Sequence, residues 1–156
     1  MMNTLLVGDY ILVDKAVYGA RAPGRGDIVV FKYPVDERRD FVTRIVGVPG
    51  ETVQVRGRQV LIDGRALDEP DVRGGPHAVT PAGSSTFCGY AYACEPLVVP
   101  PDSYFVMADN RDNSRDSRYW GFVKRDKIEG KAVQIYWSWD SDRHGLRWWR
   151  LGQGIS

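Results

Sequence analysis

The chain has 156 residues, of which 43% are hydrophobic and 26% charged. That is one domain of ordinary globular composition, which excludes a multidomain assembly and wholesale disorder. A formal charge of +1 leaves no overall field to steer the protein towards nucleic acid or an anionic membrane.

Taken in chain order, the first predicted strand is Tyr10–Val13, followed by a loop rich in Gly, Ala, Arg and Pro from Gly19 to Asp27. Ile28–Tyr33 is a continuous apolar run closed by Pro34, as expected of a strand buried on both faces. Phe41–Val48 is a second such run, ending at Pro49-Gly50. Thr52–Val55 and Gln59–Ile62 flank Arg56-Gly57-Arg58, the pattern of a short hairpin, and Asp63-Gly64 marks the next turn. From Asp68 to Pro101 the pattern dissolves into Gly, Pro, Ser and Thr, with both cysteines inside, a long irregular stretch of the kind that is usually functional or mobile. Ser103–Met107 is a strand, Asp109–Arg118 a polar loop, and Lys131–Trp139 the last strong strand. No segment carries a sustained 3.6-residue apolar period, so the expected fold is mainly β with little helix. Apolar runs such as Ile28–Phe31 fall far short of the roughly 20 residues that cross a bilayer, and nothing at the start reads as a signal peptide.

Metal and histidine chemistry are disfavoured. His77 and His144 lie far apart, neither at ligand spacing from a cysteine. Asp112, Ser114 and Asp116 alternate like a calcium loop, but Ser117 stands where the glycine belongs, and Arg111, Arg115 and Arg118 would repel a cation. Cys88 and Cys94 read equally well as a local disulfide or as two thiols. The run Asp109–Arg118 reads either as a solvated loop or as an Asp/Arg network fixing side chains beside a site; its apolar flanks favour an ordered loop. Tyr136, Trp137, Trp139, Trp148 and Trp149 suit a β core, a patch at a membrane interface, or, with Arg143, Arg147 and Arg150 nearby, a stacking surface for single-stranded nucleic acid. The near-neutral charge counts against the last.

Four blocks, in order, resemble bacterial signal peptidase I (leader peptidase), a membrane-anchored endopeptidase with a Ser–Lys dyad. They are Met1–Asp9, Arg25–Pro34, Asp40–Glu51 and Asp109–Val123, and Gly145–Ile155 resembles the family's C-terminus. The resemblance implies a single 1–156 domain of coiled antiparallel β-sheets, with 68–101 as an irregular extension or small subdomain inside it, no cofactor or metal, and a place on the periplasmic face of the bacterial inner membrane, against its lipid surface. The implied partners are signal peptides of exported preproteins, cut after small residues at −1 and −3. In the family the nucleophilic serine immediately precedes the first Met of the opening block, so this chain is expected to lack it. The general-base lysine directly precedes the Arg-x-Val-Gly segment, and here that position is Thr43. Lys15 and Lys32 match positions that are not catalytic. Carried over by position, Ser114 orients the base. Met1, Leu5, Asp40, Phe41 and Val42 line the substrate groove, and Arg44, Asp109, Asp116 and Arg118 form a supporting network. Ala108 stands where the family usually has glycine. A threonine hydroxyl cannot take up the nucleophile's proton, so the chain as given is expected to be inactive.

Overall fold

The computed structural model describes residues 1, 4–57, 59–69, 87–88 and 93–156. His77 and most of the stretch read as irregular lie outside the described residues. Among the described residues the strands are β1 (Asp9–Asp14), β2 (Ile28–Lys32), β3 (Asp40–Gly47), β4 (Thr52–Arg56), β5 (Gln59–Ile62), β6 (Arg65–Ala66), β7 (Ala93–Val98), β8 (Ser103–Met107), β9 (Val123–Lys124), β10 (Ile128–Asp140) and β11 (Gly145–Leu146). Two single-turn helices, α1 (Val17–Ala20) and α2 (Ser117–Trp120), interrupt them. The fold is therefore mainly antiparallel β with little helix, as the patterning predicts. No helix among the described residues is long and apolar enough to cross a membrane.

The large sheet runs β1-β10-β2-β3-β8-β9, with β11 on the end of β10, and the small sheet runs β6-β5-β4-β7. Ile28–Phe31 are all buried, so this centre strand is apolar on both faces as read. The large sheet buries a different cluster on each side. Val29, Phe31, Ile45, Tyr104 and Val106 face one way. Val46, Phe105 and Met107 face the other and meet Val53, Val55, Val60 and Ile62 of the small sheet. Gly47 is required at that meeting, because a Cβ there would lie 2.4 Å from Val53 Cγ2.

Two differences from the sequence reading have local causes. β7 lies inside the stretch read as irregular, because Glu95-Pro96 breaks the apolar pattern. Val53 pairs with Leu97 and Val55 with Cys94, so Glu95 and Pro96 bulge out of the edge of the small sheet, where a missing N–H costs no ladder bond. Cys94 on β7 is joined to Cys88 in a disulfide. The C-terminal aromatics do not form a core: Trp148 and Trp149 are 71% and 70% exposed, and Tyr136, Trp137 and Trp139 are also exposed.

Candidate active site

The site is built on β3, whose alternation divides the predicted residues between two faces. Thr43 stands opposite Val29 and Phe41 opposite Phe31, on one side of the sheet. Val42 and Arg44 project from the other. Val42 packs, with Met1, Leu5 and Ile11, against a buried cluster of Ile28, Ala132, Ile135 and Ile155. Met1, Leu5 and Val42 thus come together as one apolar wall. Phe41 is not part of it. Its ring instead stacks on Tyr33 at 4.3 Å, and Trp120 closes on Tyr33 edge-on. Asp40 is exposed and paired with Lys32 at 2.7 Å.

Backbone geometry gives this wall an open edge. Tyr33 N–H donates to the Arg39 carbonyl and Ile45 N–H to the Asp27 carbonyl, both at 2.9 Å. In an antiparallel ladder these bonds fall on alternate residues, so Phe41 and Thr43 bond to β2. The N–H and C=O groups of Asp40 and Val42 then point away from β2. On that side β8 begins its pairing only at Arg44, opposite Met107. Among the described residues no strand covers Asp40–Val42, which leaves room for one more extended chain.

Arg44 anchors the strand from beneath. Its guanidinium makes two parallel bonds to Asp109, at 2.9 and 3.0 Å, and donates to the carbonyls of Gly26 and Ser156 at 3.2 and 3.1 Å. Thr4 Oγ1 also donates to Asp109. Burial alone would raise the Asp109 pKa. The bonds from Arg44 and Thr4 outweigh it and hold the carboxyl below the usual carboxylate range. Asp116 receives a second bidentate arginine, with Arg118 Nε at 2.8 Å and Nη2 at 2.9 Å, and Arg118 is only 1% exposed. Asp116 also caps α2 through Arg118 N–H and accepts from Ala108 N–H at 3.2 Å, while Val106 N–H donates to Ser117 Oγ at 2.9 Å. The run Asp109–Arg118 is accordingly an ordered ion-pair network tied to the end of β8.

Thr43 differs from all of these. It is 4% exposed, and its hydroxyl has no hydrogen-bond partner among the described residues. Ser114, partly exposed where the 3₁₀ turn Arg111–Asn113 ends, therefore makes no bond to it.

Three contributors escaped the sequence reading. Asp9 accepts from Arg150 at 2.6 and 3.0 Å, from Leu6 N–H at 2.7 Å and from Ser138. Burial opposes ionisation of Asp9, but these bonds win and its pKa is lowered. Arg150 also donates to the Thr4 carbonyl at 2.8 Å. Gly8, at φ +93°, lets the 4–9 segment pass so close to Trp139 that a Cβ would lie 2.0 Å from its carbonyl oxygen. The only local hint of this clasp in the sequence is Gly8-Asp9 itself.

A family model described as signal peptidase, peptidase S26, matches residues 1–137. The chain is 39% identical over 145 residues to a signal peptidase I of Leptolyngbya laminosa, covering 88% of this chain and 64% of that protein. It is 37% identical to a signal peptidase I of Aquifex aeolicus, covering 88% and 72%. Among solved structures, a crystal structure of a signal peptidase I from Enterococcus faecalis V583 superposes with a TM-score of 0.53 at 32% identity, over 71% of this chain and 97% of that one. The chain belongs to the signal peptidase family of serine peptidases, and it spans a little under two thirds of the Leptolyngbya protein it matches.

Proposed function

We propose that this chain is a signal peptidase I-type domain that receives the extended signal peptide of an exported preprotein and, as given, does not cut it. The peptide adds as a strand along the open Asp40–Val42 edge, its main chain bonded to the outward N–H and C=O groups. Small residues at −1 and −3 lie against Met1, Leu5 and Val42. The observation that carries the inactivity is Thr43, a buried hydroxyl with no partner among the described residues, at the position of the family's general base. A lysine buried there would have its pKa lowered towards neutrality and could accept the nucleophile's proton; a threonine cannot. Loss of such a group costs on the order of 10⁶ in rate in other serine peptidases. Asp109 and Asp116, each locked to an arginine, hold the frame. The exposed Trp148 and Trp149 support a resting place on the lipid surface at the periplasmic face of the bacterial inner membrane.

A second reading rests on the same residue: a non-catalytic relative that holds extended peptides without cleaving them. The test compares chains carrying the family's Ser-x-Ser directly before Met1, with Thr or Lys at position 43, on a preprotein with small residues at −1 and −3. Cleavage by the Lys chain alone supports a competent frame lacking its base. Cleavage by the Thr chain overturns the inactivity. Binding without cleavage by either selects the second reading, and absence of both binding and cleavage removes the peptide groove from consideration.

A further inference from the structure

The geometry points to the closing segment 147–156 as a clasp on the peptide groove, with Ile155 the residue that sets how large a side chain the groove accepts. This inference rests on the proposed peptide-binding reading and adds a specificity determinant to it.

The segment returns along β10. Gly152 N–H donates to the Ile135 carbonyl and Ile135 N–H to the Gln153 carbonyl, both at 2.9 Å, and Ile155 N–H donates to the Val133 carbonyl at 3.0 Å. Its two ends then hold the two walls of the groove. At one end Arg150 grips Asp9 and the Thr4 carbonyl, which fixes the 4–9 segment carrying Leu5. At the other, the Ser156 carbonyl accepts from Arg44 at 3.1 Å. Arg44 and Val42 project from the same side of β3, so the residue preceding Ser156 arrives beneath Val42. That residue is Ile155, 6% exposed and clustered with Ile28, Ala132 and Ile135, against which Met1, Leu5 and Val42 pack.

Ile28, Ala132 and Ile135 sit at positions fixed by the central strands β2 and β10. Ile155 alone in this floor comes from outside the named strands, so its bulk decides how deep the wall residues settle. Trimming it lets Val42 and Leu5 sink and widens the groove. An apolar pocket distinguishes one methylene by about 10-fold to 200-fold, which sets the scale of the effect.

The experiment measures dissociation constants of the full chain for extended synthetic peptides that differ only in having Ala, Val or Leu at the small-residue position. Wild type is compared with I155A, with the milder I155V, and with V106A as a control in the cluster on the opposite face. I155A should move the Ala-to-Leu preference ratio by about 10-fold towards Leu, and I155V should move it less in the same direction, while V106A leaves it unchanged. Thermal melts identify any variant that fails to fold, and I155V then carries the test. Equal weakening of all peptides, or a ratio that V106A shifts as much, overturns the inference and leaves the groove standing. Failure of wild type to bind any of the peptides removes both the groove and the inference.

Discussion

Replacing Thr43 by valine should stabilise the protein. Val has nearly the shape of Thr, with a methyl in place of the hydroxyl, and both suit a strand. The hydroxyl at 43 has left water without gaining a partner among the described residues, and the residue is 4% exposed. An unsatisfied buried polar group of this kind costs about 1–3 kcal/mol, whereas the added methyl meets Val29 across the ladder and Ile45 two residues along, both fully buried. The net expectation is a gain of about 1–2 kcal/mol. For a chain of this length that raises Tm by roughly 2–8 °C and moves the urea midpoint upward with no change in slope. Thr43→Ser is the counter-experiment: it keeps the stranded hydroxyl, removes the methyl, and should cost about 1 kcal/mol. Circular dichroism melts of the three proteins decide the matter. A Thr43→Val protein less stable than wild type would mean that the hydroxyl has a partner after all. The case for a base position stripped of polar function would fall with it.

Two further expectations concern the buried carboxylates. Asp27 is nearly buried and accepts from Lys131 at 2.6 Å, Gly24 N–H at 3.0 Å and Arg21 at 3.1 Å; burial pushes its pKa up, but these bonds bring it down from 3.8 to about 2. A lowered folded-state pKa stabilises fully above about pH 4 and is lost as pH falls through 2, so Asp27 contributes roughly 2 kcal/mol at neutral pH. Asp27→Asn should therefore flatten the pH dependence of urea unfolding between about pH 4 and 2; an unchanged slope there would show that Asp27 is not what titrates. Asp109→Asn leaves the Arg44 guanidinium buried against a neutral amide and should cost about 3–5 kcal/mol, partly recovered in the double variant with Arg44→Met. Strictly additive losses in that cycle would argue against a coupled pair.

Continuous apolar runs made the core strands legible. Ile28–Phe31 and Phe41–Val48 could hardly be anything but central, because only a strand covered on both faces can afford such sequences. The same continuity hides which face each side chain takes. In β3 the polar Thr43 and Arg44 are adjacent and so fall on opposite faces, marking neither as the outside; Phe41 and Val42 read as neighbours in one wall, whereas the structure sends Phe41 to Tyr33 and Val42 to the Met1–Leu5 side. β7 failed to show for the opposite reason: a proline at a bulged edge erases the period without preventing the pairing.

The candidate site divides along similar lines. Asp109–Arg118 announced itself because its charges lie within ten residues, and Asp116–Arg118 is a contact two residues apart. The Arg44–Asp109 pair spans 65 residues, and its partners became legible only through resemblance to a family in which the positions recur. The clasp of Arg150 on Asp9 spans 141 residues, and nothing local in Trp148–Ser156 distinguishes a returning strap from a frayed end. The aromatic residues of this region show the limit of composition most directly. Indole rings are as much at home in a core as at an interface, and only the course of β10 decides between them. That strand buries Ile135 and Ser138 and turns Tyr136, Trp137 and Trp139 outward. Val42 on β3 and Ile135 on β10 meet in the same buried cluster, so the strand that turns its aromatics outward also supplies part of the floor beneath β3.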